Sequence, residues 1–140
     1  MKKLKWWMLV VGGFYTLLTV MNLFFLFATP DYIAGLLPPH YAGNEEIAGR
    51  AFSDAWLVFV FELGVLGGML LYASGKPEKS RMLVLTVIFA ELFRGVVADA
   101  VWIGRGYAAS EYIPFIVIHL LIIVTGWVFL RQAGKENPVI

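Results

Sequence analysis

Cysteine is absent from the 140-residue chain. Disulfides, thiolate catalysis, iron–sulfur clusters and cysteine zinc sites are thereby excluded. Charge is sparse as well, at 15% of residues, and the formal net charge of +1 gives no reason to expect a nucleic-acid partner. There are two histidines. His40 falls in a long connection and His119 inside an apolar run, so they do not suit a bis-histidine haem, and no cofactor is expected.

Apolar sequence takes the place of charge. Hydrophobic residues make up 60% of the chain and mean hydropathy is +0.77. A soluble domain of this length cannot hide that much apolar surface, so the class is an all-α membrane protein. Four segments, about 6–28, 51–73, 82–103 and 113–130, have the length needed to cross a hydrocarbon core about 30 Å thick. The expected architecture is a single domain over 1–140, a four-transmembrane-helix up-down bundle. The basic start "MKKLK" resembles a signal-peptide n-region. The apolar run behind it is too long for an h-region, and Leu26 at −3 to a cut after Ala28 is not small, so this segment is expected to stay as a helix.

Basic residues set the expected orientation. Lys2, Lys3 and Lys5 precede the first segment, Lys76, Lys79 and Arg81 crowd the second connection, and Arg131 and Lys135 follow the fourth segment. The other two connections hold only Arg50 and Arg105. Both termini are therefore expected in the cytoplasm, with the protein in a bacterial inner (plasma) membrane. Short links predict antiparallel packing of consecutive helices two, three and four. Ser110 is expected to cap the fourth helix, with Pro114 in its first turn. The long connection Thr29–Arg50 is expected outside, as a short interfacial helix and a Pro-Pro break across the outer mouth.

Polar residues inside the spans are the informative ones. At 1.5 Å per residue, Glu62 and Glu91 fall near the bilayer centre, and Arg94 and His119 roughly 4–5 Å further out. Asn22 follows, then Asp54 and Asp99 near the outer boundary. On an α-helical wheel Glu91, Arg94, Gly95, Ala98, Asp99 and Trp102 share one face. A charge at a lipid-facing helix centre costs about 2.5–3.5 kcal/mol, so these groups are expected to turn inward, toward Glu62 and His119. Arg94 can neutralise one of the two Glu. Glu91, one turn away, is expected to keep it, leaving Glu62 to a proton, a protonated His119, a metal or a cationic ligand.

A metal is disfavoured, because the position three after Glu91 is Arg94 rather than the His of a di-iron motif. Gly64 and Gly68 form a G-x-x-x-G nearly opposite Glu62, which suits either a homodimer contact or packing on helix one. The layout resembles two families. It is like sterol-isomerase and sigma-receptor-like proteins in setting intramembrane carboxylates beside aromatics, and like small multidrug transporters in size and in an embedded Glu. That Glu belongs to the first helix of those transporters, where this chain has no acid, and neither family supplies site residues.

The expected function is an outward-opening pocket for a small lipophilic molecule in the lipid bilayer. Glu62, Glu91, Arg94 and His119 would be its acid–base groups, and Asn22, Asp54, Asp99 and Trp102 would line it. Two other readings stay open. One is a proton-coupled transporter or channel working as a dimer, and the other is an accessory or immunity-type membrane protein whose buried cluster only fixes helix register.

Overall fold

A computed structural model describes residues 1–29, 37, 38, 41 and 43–136. Among them there are four helical rods and no strand. The first is α1 (Lys2–Ala28) and the second α2 (Glu45–Ala73). The third rod is made of α3 (Arg81–Ala90), a π-helical segment (Glu91–Val97) and α4 (Ala98–Gly104). The fourth is α5 (Ala109–Glu136). Helices α1, α2 and α5 are each long and apolar enough to cross a membrane. The expected interfacial helix and Pro-Pro break lie outside the described residues, as does His40.

An apolar helix in a bilayer must satisfy its own polar groups. The α1 hydroxyls do so by folding back: Thr16 and Thr19 each donate to the carbonyl four residues earlier at 2.9 Å, and Asn22 does the same at 2.8 Å. One stripe of α1 is buried, comprising Leu4, Trp7, Met8, Val11, Gly12 and Tyr15. Elsewhere the helices present large apolar side chains outward, among them Val10, Phe24, Val58, Val65, Leu121 and Val124. A surface of this kind suits lipid and not water.

Glycines set how closely the rods approach. A Cβ on Gly12 would lie 3.0 Å from the Gly67 carbonyl, and one on Gly67 would lie 3.1 Å from the Gly12 carbonyl, so α1 and α2 touch backbone to backbone. Gly64 meets Thr19 of α1 in the same seam. Between α1 and α5, Gly126 makes room for the Trp7 ring. The Trp7 indole donates to Thr125 Oγ1 at 3.1 Å and lies 3.3 Å from the Ile122 carbonyl. All these pairings run antiparallel. The Met1 amine pairs with Glu136, so the start of α1 and the end of α5 lie at the same end of the molecule.

Several sequence expectations change. Helix two packs chiefly on α1, not on the third rod; α1 and the third rod both pack on α5. The physical reason is the Gly12–Gly67 contact, which draws α2 to α1, whereas the 74–80 turn joins α2 to α3 only at their ends. Pro77 is buried in that turn, and the Ser80 hydroxyl lies 3.0 Å from the Lys76 carbonyl and 3.2 Å from that of Ala73. Helix two begins at Glu45, before the expected 51. Helix α5 begins at Ala109, so Ser110 lies inside the first turn and not at its cap, and Pro114 is the sixth residue, in the second turn and not the first. A homodimer through both Gly64 and Gly68 loses one of its glycines to the α1 contact, while Gly68 has no atom within 4 Å of an added Cβ.

Gly67 and Gly68 are adjacent in sequence and opposite in setting. Gly67→Ala is expected to lower thermal stability in detergent, by about 1–3 kcal/mol, because its methyl meets backbone and Thr16. Gly68→Ala is expected to be neutral or mildly stabilising through helix propensity. Equal effects at the two positions would show that the α1–α2 contact is not this close.

Candidate functional site

The π segment positions the cluster. In a regular α-helix, residues eight apart such as Glu91 and Asp99 would be rotated about 80° from each other. A π turn hydrogen-bonds i to i+5 and is underwound, and such segments are frequent at functional sites. The underwinding offsets the rotation, so Glu91, Gly95 and Asp99 line up on one side of the third rod, facing α5. All three are buried, and all three meet His119.

His119 lies between two carboxylates. Its Nδ1 is 2.7 Å from Glu91 Oε2, and its Nε2 is 3.6 Å from Asp99 Oδ2. Gly95 makes this possible, since a Cβ there would fall 2.4 Å from the imidazole. The second oxygen of Glu91, Oε1, accepts a hydrogen bond from the Tyr15 hydroxyl of α1. One carboxylate thus joins α1, the third rod and α5. Tyr15 and Glu91 are 1% and 2% exposed. Asp99 Oδ2 is buried and has no hydrogen-bond partner among the described residues.

Proton accounting follows from the geometry. With Glu91 ionised, Nδ1 carries the hydrogen of the 2.7 Å contact, because two acceptors do not bond. If the imidazole is neutral, Nε2 then offers a lone pair toward Asp99 Oδ2. Two acceptors 3.6 Å apart need a further proton or donor hydrogen beside them. With a neutral imidazole, the His119–Asp99 edge is therefore the incomplete part of the cluster.

Arg94 turns aside from this line. Its guanidinium is 3.6 Å from Glu62 Oε2 and lies over the Phe59 ring, 4.8 Å from the centroid. It also neighbours the Tyr15 hydroxyl. The expected Arg94–Glu91 pairing is replaced by Arg94–Glu62, because the underwound turn carries residue 94 off the Glu91 face toward α2. Glu62 itself, expected inside, has a side chain 68% exposed. Its inward placement is prevented by the tight seam that the opposite face of α2 makes with α1.

The remaining sequence candidates separate. Trp102, one turn beyond Asp99, is the centre of an aromatic group: Tyr112, Trp56 and Tyr107 lie 5.5, 5.9 and 6.2 Å away between centroids. Trp56 continues it to Phe59 at 4.4 Å, which connects the aromatics to Arg94. In the adjoining connection, burial and the neighbouring Tyr41 phenol push the Tyr107 hydroxyl above its usual range, against the opposing effect of Arg105. Asn22 accepts from the Trp56 indole at 2.9 Å, linking α1 to α2, and does not reach the cluster. Asp54 is exposed and apart from it. Tyr15 was missed. Its only signal in the sequence is a phenol near the middle of an otherwise apolar helix, on the stripe formed by Leu4, Met8 and Val11.

A double-mutant cycle between Tyr15→Phe and Glu91→Gln is expected to give a coupling of about 0.5–3 kcal/mol in detergent unfolding. The cycle between Arg94→Leu and Glu91→Gln is expected to give a smaller coupling. The reverse order would restore the Arg94–Glu91 pair and displace Tyr15 from the cluster.

Comparison with known proteins adds a family and little else. No curated protein and no solved structure matches the chain. Residues 1–135 match a family described as BphX-like, and with nearly the whole chain covered, this protein belongs to that family.

Proposed function

We propose that this chain crosses an inner (plasma) membrane four times with both termini in the cytoplasm. In this reading it holds a small lipophilic molecule by a hydroxyl or similar donor against the His119–Asp99 edge. Asp99 Oδ2, a buried acceptor short of one hydrogen and 3.6 Å from Nε2, carries the reading. A donor group on the ligand would supply it. Glu91 and Tyr15 hold the imidazole in one orientation and stabilise positive charge on it, so the same edge can accept the ligand's proton. Trp102 and its aromatic neighbours would form the apolar wall at the outer end.

Access is best explained by the seam between α2 and the third rod. Away from the 74–80 turn this seam is bridged by side chains, Arg94 to Glu62, Arg94 to Phe59 and Trp56 to Trp102. Side chains move far more readily than packed backbones. A largely exposed Glu62 is costly against lipid, and its pairing across an openable seam gives it a reason to be there.

A transporter or channel reading is less well supported. Toward the chain termini the core is Leu4, Met8, Leu70, Val84, Val87, Leu130 and Ala133, all buried and apolar. No polar path continues through them. The register-fixing reading accounts for Glu91 and Tyr15 but leaves Asp99 Oδ2 without a purpose.

Two measurements test the proposal. The natural absence of cysteine makes single-site labelling clean: Asn44→Cys is expected to react with an impermeant reagent in intact cells, and Lys79→Cys only after lysis. The opposite pattern would invert the orientation. For the ligand, organic extracts of purified protein are analysed by mass spectrometry. A lipophilic compound is expected from wild type and from Asp54→Asn, reduced at least about tenfold in Asp99→Leu and Trp102→Ala. Identical extracts from all four proteins, with Asp99→Leu still folded, would leave register fixing as the better account.

A further inference from the structure

A second feature lies at the far end of the molecule from the Glu91 cluster. The start of α1 and the end of α5 flank an open groove of about 630 Å³. Lys2 and Lys3 stand at its terminal end, and Trp6, Val10, Thr125 and Phe129 line it below. Positions 2, 6 and 10 are one turn apart and share a face of α1. Trp6 is 59% and Val10 65% exposed, so the face is apolar and uncovered. From Lys2 to Val10 it extends about 12 Å along the helix.

Charge completes the pattern. Glu136 is the acid of the groove, and it is engaged by the Met1 amine. Lys3 donates to the neutral amide oxygen of Gln132 at 3.3 Å, which holds it over α5. Neither Lys2 nor Lys3 forms an ion pair among the described residues. Beside Gln132, a second groove of about 460 Å³ is lined by Arg131 and Lys135 together with Val128, which adds to the positive charge at this end. Two unneutralised ammonium groups at the water-facing end of an apolar strip match the shape and charge of one lipid.

From this we infer that the α1–α5 groove is a binding site for an anionic phospholipid, with its phosphate at Lys2 and Lys3 and an acyl chain along Trp6, Val10 and Phe129. Basic residues between membrane helices commonly bind acidic headgroups in this way, while their apolar stems lie along the helix. The inference requires only that the chain lies in a bilayer and is independent of the acid–base reading.

The full chain in lipid nanodiscs or detergent is tested by native mass spectrometry with phosphatidylglycerol or phosphatidylcholine of identical acyl chains. Wild type is expected to retain phosphatidylglycerol preferentially, and Lys2→Gln/Lys3→Gln to reduce that preference about tenfold. Lys76→Gln/Lys79→Gln removes the same charge from the 74–80 turn, at the same end of the molecule, and is expected to leave it intact. Equal losses in both double variants would show diffuse electrostatic attraction and no site. No preference in wild type, or a wild-type dimer that the Lys2→Gln/Lys3→Gln variant dissociates, would also overturn the assignment, the latter in favour of a second copy of the chain.

Discussion

The structure turns on one carboxylate. Glu91 is buried in apolar surroundings, where an ionised group without partners is very costly. Its two oxygens are held by two different helices, Tyr15 of α1 through Oε1 and His119 of α5 through Oε2. Because the third rod makes both bonds from a single side chain, the relative heights of three rods are fixed at one level. Apolar packing alone does not fix register so firmly, since neighbouring ridges offer alternatives one turn apart and lipid supplies no hydrophobic drive between helices. A misregistered Glu91 would lose both donors at once, and removing one partner of a buried pair typically costs about 3–5 kcal/mol.

Glycine makes those bonds reachable. Gly95 lets the His119 ring lie against the third rod, Gly126 does the same for Trp7 between α1 and α5, and Gly12 with Gly67 brings α2 onto α1. The first two contacts draw three rods around Glu91. The third draws α2 onto α1, and so leaves the seam toward the third rod to side chains. The asymmetry of the packing and the side-chain character of that seam thus have one cause.

Composition and hydropathy made the helical class legible, and the apolar runs located all four rods to within a few residues at most ends. Three of the polar residues singled out inside the apolar runs, Glu91, Asp99 and His119, lie together. Azimuth carried over for Glu91, Gly95 and Asp99 and not for Arg94. A uniform 100° per residue put Arg94 beside Glu91 on the cluster face, and the underwound segment at residues 91–97 rotates it toward Glu62. Nothing local in "ELFRGVV" announces a π turn, since the drive for it is tertiary, the simultaneous fit of Glu91, Gly95 and Asp99 to one imidazole. Tyr15 escaped for a related reason. Seen alone it is one more aromatic on a membrane helix, and its hydroxyl becomes informative only once a carboxylate is known to lie opposite.

The underwound turn also bears on function. A π segment gives up regular i→i+4 bonding, and an all-α rod could satisfy Glu91 with Tyr15 and His119 while leaving Asp99 about 80° round from Glu91. Register fixing therefore needs Glu91 but does not need the distortion. What the distortion adds is Asp99 at the second nitrogen of the imidazole, in a buried position with an oxygen that no described residue satisfies. Structures tolerate an unsatisfied buried acceptor at a cost of about 1–3 kcal/mol. Here that cost is concentrated on the side of His119 nearest Trp102 and the aromatic wall. Spending backbone regularity to place an unsatisfied acceptor beside an apolar wall is more than register fixing alone requires, and it is the feature from which the proposed reading starts.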